Sequence, residues 1–226
     1  MNSATSTPLL PVIRPLSRPV SRLLVKLPFT ANQVTAASLV FGLACNWALT
    51  LGTWEWAVFG GVMMVLCYLF DNSDGDVARA KNQCSEFGRR FDSFVDWIVH
   101  ASFFPCLGIG WAGVTGNDLW LWLGWIACAG GTVNYAVGFL VEAREKRQKG
   151  DEARTGHEAP EESRRPRTAG EWAVFIFREL FRADFCFIVL ALALADGLWL
   201  LLPAGAIGSQ VYWLAQFAKG ANEFHV

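Results

Sequence analysis

Five aspartates lie within 26 residues of a chain that is otherwise mostly apolar, and four of them follow a regular spacing. Asp71 and Asp74 are three residues apart, so they share one face of a helix. Asp92 and Asp96 are four residues apart and share a face of the next predicted helix. If these helices are antiparallel neighbours, each directs two carboxylates into one space.

Carboxylates that converge at a membrane favour a bound cation, because each one buried in a bilayer costs about 2.5–3.5 kcal/mol on insertion scales. Four carboxylates without a softer ligand favour Mg²⁺, with Mn²⁺ or Ca²⁺ as alternatives. They could hold two ions about 3.5–4 Å apart, an arrangement that clamps a phosphoryl group. Asp76 lies off the shared face, and we expect it to be solvated or ion-paired. The alternative is a hydrated loop in which the aspartates pair with neighbouring basic residues, Arg79, Lys81, Arg89 and Arg90.

The composition indicates that a membrane surrounds these aspartates. Of the 226 residues, 53% are hydrophobic and only 17% are charged, whereas a soluble domain usually has about 25% charged residues. The six cysteines form no CxxC pair, which favours buried, inert thiols. The net charge of −1 identifies no partner, and we expect a lipid bilayer and no nucleic acid.

Six apolar stretches are candidates for membrane-spanning helices, each close to the roughly 20 residues that a bilayer requires. The sequence therefore predicts an all-α, polytopic membrane protein. The last two candidates form a pair with breaks near Asp196-Gly197 and Pro203. The predicted spans are 33–52, 54–78, 88–112, 118–141, 183–202 and 204–220.

A basic amphipathic helix is predicted over residues 16–27, with Pro19 in its first turn. Arg18, Arg22 and Lys26 share one face and leucines line much of the rest, so we expect it to lie on the membrane surface as a juxtamembrane helix. The predicted division is an N-terminal arm with this helix (1–30), a membrane domain (31–220) and a short tail (221–226).

The lysines and arginines predict the orientation, since cytoplasmic loops carry the excess of basic residues. All 19 lie in the N-terminal arm, the link after the second span, the segment 142–182, or at Lys219. Both termini and the aspartates should therefore face the cytoplasm, with the protein in the cytoplasmic (inner) membrane. Residues 142–168 are expected to form a solvated loop, helical at its start and mobile after Gly150. A second interfacial helix is expected over 171–184.

Written out, the aspartate spacing is D-x2-D-G-x2-A-R-x8-G-x3-D-x3-D, from Asp71 to Asp96. In this stretch the chain resembles the CDP-alcohol phosphatidyltransferases, whose signature it matches without a gap. The segment Asn32-Gln33-Val34-Thr35 resembles that family's short N-x-x-T element. The layout of a juxtamembrane helix and six spans is also similar, and the resemblance is weakest after residue 142.

The resemblance implies an enzyme that moves a substituted phosphoryl group from a CDP-linked donor, often CDP-diacylglycerol, to the hydroxyl of an acceptor alcohol and releases CMP. It implies two Mg²⁺ or Mn²⁺ ions and suggests a homodimer. Asp96 is the general base that it implies. The implied metal ligands are Asp71, Asp74, Asp92 and Asp96. The implied donor-binding residues are Asn32, Gln33, Val34, Thr35, Gly75, Ala78, Arg79 and Ser85.

The acceptor stays open among glycerol phosphate, inositol phosphate, serine and other polyols or aminoalcohols. Family members that use an inositol phosphate carry basic residues near the start of the fifth span, where Arg178 and Arg182 lie here. Ordinary anchoring of a helix end explains these two arginines equally simply. His100, four residues after Asp96, is expected to be a packed core histidine. Two other functional classes are a divalent-cation transporter and a non-catalytic membrane paralogue.

Overall fold

The computed structural model describes residues 12–155 and 184–222, and in this part of the chain the protein is all helical. The seven described α-helices are α1 (Ile13–Lys26), α2 (Ala31–Leu49), α3 (Trp54–Ala80), α4 (Glu86–Thr115), α5 (Leu119–Thr155), α6 (Phe185–Leu194) and α7 (Leu201–Asn222). A 3₁₀ turn, Leu198–Leu200, precedes α7. The all-α prediction is confirmed.

Three helical stretches in the described part are long and apolar enough to cross a membrane: Trp54–Ala80, Glu86–Thr115 and Leu119–Leu140. Two shorter apolar stretches, Phe185–Leu194 and Leu198–Val211, accompany them. The chain is therefore a multi-pass membrane protein, and the count of six spans remains a prediction.

Two predicted boundaries are wrong. The C-terminal pair breaks at Asp196-Gly197 as expected, but Pro203 lies inside the first turn of α7, where a missing N–H leaves no helical hydrogen bond unmade. The second is at Gly150, after which the sequence predicts a mobile loop, whereas helix α5 continues to Thr155. The interfacial helix predicted over 171–184 lies almost wholly outside the described residues.

The core joins α2, α3, α4 and α6, and the side chains packed there include Met64, Val99, Phe103, Leu107 and Val189. Helix α5 packs against α4 and α7, and α1 packs against α3. Helix α2 packs against both α3 and α4, and the ends of α3 and α4 that carry the aspartate motif are close enough for their carboxylates to meet.

Local signals in the sequence explain where these helices begin and end. Thr30 caps α2 in a reciprocal capping box with Gln33. The Ser85 hydroxyl caps α4 by accepting the Gly88 N–H at 3.0 Å. Helix α4 ends at Gly116, whose φ of 65° is left-handed and suits glycine.

Helix α1 is the predicted basic amphipathic helix, but it begins earlier than expected and packs against α3. It begins at Ile13, so Pro19 falls in its second turn rather than its first. Its basic residues are exposed, but a separate buried face contacts α3, because small serines allow close approach there. The residues of this face are Ile13, Ser17, Ser21 and Leu24.

Candidate functional site

Three of the four predicted metal ligands meet between the motif ends of α3 and α4, two helices that both pack against α2. Asp71 and Asp74 on α3 and Asp92 on α4 each place one carboxylate oxygen within 4.8 Å of the others. Asp74 is buried, and the other two are half-buried. A donor set of carboxylates alone suits a hard divalent cation such as Mg²⁺, so the residues present fit the metal that the sequence implies.

Asp96 lies one helical turn beyond Asp92 and is not part of this compact group. Asp96 is exposed, whereas Asp92 is half-buried. The backbone carbonyl oxygen of Asp96 lies 2.7 Å from Nδ1 of His100. Its roles as a fourth metal ligand and as the general base remain predictions.

Helix α2 supports the carboxylate group through Thr35. The Thr35 hydroxyl, which is buried, donates a hydrogen bond to the Asp74 carboxylate. Such a partner fixes the orientation of a metal-binding carboxylate. In the described structure, Thr35 therefore contacts a predicted metal ligand as well as lining the cavity described next.

A cavity of about 540 Å³ opens beside the carboxylate group, between α2, α3, the α3–α4 link and the start of α4. This volume is within the range of small-molecule sites, about 300–1,000 Å³. Asp74 and Asp92 form part of its wall. Six of the predicted donor-binding residues also line it: Asn32, Thr35, Gly75, Ala78, Arg79 and Ser85.

The other two predicted donor-binding residues contact a helix cap and an apolar cluster and do not line the cavity. Gln33 makes the capping box with Thr30, and Val34 packs in a small apolar cluster with Leu24 and Val77. Neither is among the residues that line the cavity. Consecutive helical residues point in different directions, so a four-residue element cannot direct every side chain into one space.

Arg79 lies at the cavity wall and is largely exposed. Its Nη2 atom is 2.6 Å from Oδ1 of Asp76, one turn earlier on α3, so the predicted ion pairing of Asp76 is confirmed. The guanidinium passes over Gly75, where an added Cβ would lie 3.4 Å from Nη1. The guanidinium therefore lies over Gly75 at ordinary van der Waals distance.

The lining residues that are absent from the sequence prediction include Gln83, Cys84 and Arg89. The Gln83 side chain accepts the Ala31 N–H at 2.9 Å and joins the link to the start of α2. Arg89 pairs with Glu86 at 2.6 Å. Its spacing of three residues before Asp92 is a signal that could have placed Arg89 on the site's face.

His100 makes contacts typical of a packed core residue. Its Nε2 atom lies 2.7 Å from the Tyr68 hydroxyl, and its ring contacts Phe185. The two arginines predicted to bind the acceptor, Arg178 and Arg182, lie outside the described residues.

Comparison with known proteins gives the family. A family model described as CDP-alcohol phosphatidyltransferase matches residues 29–199, which include every element of this site. The chain belongs to the CDP-alcohol phosphatidyltransferase family.

The chain is also similar to two proteins that have functional names. One is a phosphatidylinositol phosphate synthase of Corynebacterium glutamicum, 35% identical over 89 residues, which cover 39% of this chain and 40% of that protein. The other is a bifunctional IPC transferase and DIPP synthase of Aquifex aeolicus, 30% identical over 81 residues, which cover 36% of this chain and 18% of that protein. The matched part of the chain therefore spans less than half the length of either relative.

Proposed function

We propose that this protein transfers a phosphatidyl group from CDP-diacylglycerol to the hydroxyl of a small alcohol and releases CMP. The observation that carries the proposal is the group of three carboxylates, Asp71, Asp74 and Asp92, two of which, Asp74 and Asp92, line a cavity of about 540 Å³. Membership of the CDP-alcohol phosphatidyltransferase family supports the reaction class.

In the proposed reaction a new P–O bond forms to the acceptor oxygen, and the P–O bond to CMP breaks. Asp71, Asp74 and Asp92 would hold Mg²⁺ or Mn²⁺, which when bound neutralises the diphosphate and stabilises the departing phosphate. Arg79 at the cavity wall supplies a further positive charge for phosphate oxygens. Asp96 accepts the proton of the attacking hydroxyl.

The test of this proposal is release of CMP by the purified protein in proteoliposomes that contain CDP-diacylglycerol, with and without each acceptor alcohol. We expect release that needs both Mg²⁺ or Mn²⁺ and an acceptor, and that EDTA abolishes. Absence of metal-dependent CMP release across a broad acceptor panel would refute the proposal. Passage of metal ions into the same liposomes would favour the transporter instead.

For the acceptor, we propose an inositol phosphate as the first compound to test. The name of the Corynebacterium glutamicum relative gives phosphatidylinositol phosphate as its product, and Arg178 and Arg182 supply positive charge for a second phosphate. Identification of the lipid product from radiolabelled donor decides between this acceptor, glycerol phosphate and serine.

The role of Asp96 has a test of its own. Asp96→Asn keeps the shape of the side chain but removes the base, so turnover should fall by about 100-fold or more. Near-normal turnover in a folded variant would exclude Asp96 as the base.

We further propose that the site and both termini face the cytoplasm of the inner membrane, as the basic residues predict, and that the protein is a homodimer. Cys84 provides a probe of orientation, because it is exposed in the α3–α4 link while the other five cysteines are buried or half-buried. A membrane-impermeant maleimide should label Cys84 only after cells are opened, and Cys84→Ser should remove the signal. Labelling in intact cells would reverse the proposed orientation.

A further inference from the structure

Helix α1 is linked to the cavity through a path of side-chain hydrogen bonds. Ser21, which is buried on the face that contacts α3, has its hydroxyl 2.9 Å from Oδ2 of Asp76 and 3.0 Å from the Ser17 carbonyl oxygen. The charged carboxylate is the stronger acceptor for its one hydrogen. The other carboxylate oxygen of Asp76 accepts from Nη2 of Arg79 at 2.6 Å. One carboxylate thus holds a cavity-lining arginine with one oxygen and a residue of α1 with the other.

The helix that carries Ser21 is itself fixed at both ends. At its start, the buried Asp184 accepts hydrogen bonds from the N–H groups of Val12 and Ile13, each at 3.0 Å. At its end, the Lys81 ammonium donates to the carbonyl oxygens of Leu27 at 2.6 Å and Phe29 at 2.7 Å. These contacts satisfy backbone groups that a helix end and the following turn leave without partners.

An exposed ion pair such as Asp76–Arg79 would by itself restrict the arginine little, since long exposed side chains keep much rotational freedom. The bond from Ser21 limits the rotation of the Asp76 carboxylate, and Gly75 gives the guanidinium a surface to lie against. Arg79 has five N–H donors. It can therefore keep its bond to Asp76 while other N–H groups meet a ligand's phosphate oxygens.

We propose that Asp76 is a positioning residue: held by Ser21 of α1, it keeps the Arg79 guanidinium at the cavity wall, ready for the diphosphate of the donor. This inference rests on the proposed function, because the donor is the ligand that Arg79 receives. Ordering an interfacial side chain costs free energy when a ligand binds. An arginine that is already ordered avoids most of that cost, so the path strengthens donor binding.

The test is the KM for CDP-diacylglycerol, measured as a mole fraction in mixed micelles, in Ser21→Ala and Asp76→Ala. We expect each variant to raise this KM by roughly 2- to 12-fold with little change in kcat, the range that ordering one side chain spans. In an Arg79→Ala background, the same two changes should not raise the KM further. Their effect passes through Arg79, so it disappears with the guanidinium.

Ser17→Ala is the matched control. Ser17 is buried on the same face one turn earlier, and its hydroxyl donates to the Arg14 carbonyl within α1. It should leave the KM unchanged. An equal rise in KM in Ser17→Ala, or a rise from Ser21→Ala that persists in the Arg79→Ala background, would overturn the inference.

Two outcomes of these measurements distinguish the positioning role of Asp76 from the proposed function. If the unaltered protein releases CMP in a metal-dependent way but Ser21→Ala and Asp76→Ala leave the donor KM unchanged, the positioning role is overturned and the proposed function stands. If the unaltered protein releases no CMP with any acceptor, the proposed function fails and the positioning role fails with it.

Discussion

The two ends of the bundle formed by α2, α3 and α4 use glycine for opposite purposes. At the motif end, Gly75 and Gly88 line the cavity, and the missing side chains leave room for a ligand. At the other end, Gly110 brings backbones into contact, since an added Cβ would lie 2.1 Å from the Leu49 carbonyl oxygen. The same residue type maintains open space at one end and removes it at the other.

This difference separates function from stability along the same helices. Close packing stabilises a bundle, and converging carboxylates without a cation destabilise it because like charges repel. Helix α4 takes part in both, with Asp92 near its start and Gly110 near its end. Changes at the motif end should mainly alter activity, and changes at the other end should mainly alter stability.

The largest effect is expected at the carboxylate group. Asp71→Asn removes a charged oxygen ligand, so CMP release should fall more than about 100-fold, since even an outer partner of a metal ligand is worth 10–100-fold. The thermal midpoint in detergent without metal should not fall, because one repelling charge is lost. Asp118→Asn changes an exposed carboxylate at the opposite end and should leave both quantities unchanged. A fully active Asp71→Asn variant would remove Asp71 from the metal site.

Gly110→Ala tests the closely packed end. Its new methyl group collides with the Leu49 carbonyl, and overpacking of this kind should lower the free energy of unfolding by about 1–3 kcal/mol. Specific activity of the folded fraction should be retained. Gly113→Ala is the control on the same helix, because its Cβ would meet no atom within 4 Å. Equal thermal midpoints for the two variants would contradict the close approach.

A smaller effect is expected from Thr35→Val, which keeps the side-chain shape but removes the hydrogen bond to Asp74. We expect the Mg²⁺ concentration for half-maximal activity to rise by about 10-fold, the lower limit for loss of a residue that orients a metal ligand. Ser38→Ala removes a buried hydroxyl one turn later that bonds only within α2 among its described contacts, and it should leave that concentration unchanged. An unchanged Mg²⁺ concentration for half-maximal activity in Thr35→Val would mean that Asp74 is oriented without the Thr35 hydroxyl.

Much of the site could be predicted from sequence because the relevant spacings are local. The separation of Asp71 from Asp74 places both on one helix face, and Asp92 of α4 brings its carboxylate to within 4.8 Å of theirs. Six of eight expected donor-binding positions line the cavity. Gln33 and Val34 differ because helical rotation turns them toward the helix cap and the apolar cluster.

Other features could not be predicted because they join residues far apart in the chain. The sequence places Asp76 off the face shared by Asp71 and Asp74, but nothing local to it indicates Ser21, 55 residues away, as a partner. Asp184 meets the start of α1 across 171 residues. The serine face of α1 is equally hidden, since its leucines and basic residues alone satisfy the pattern of a surface helix.

By itself, the sequence determined the all-helical membrane class, the family and the carboxylate motif, because hydrophobic length and helical spacing act over neighbouring residues. Only the tertiary structure decided that α1 is docked through Asp184 and Lys81, that Thr35 bonds to Asp74, and that Arg79 is held by Asp76. Those contacts depend on which helix faces pack together, and that choice is made by the whole bundle rather than by any one segment.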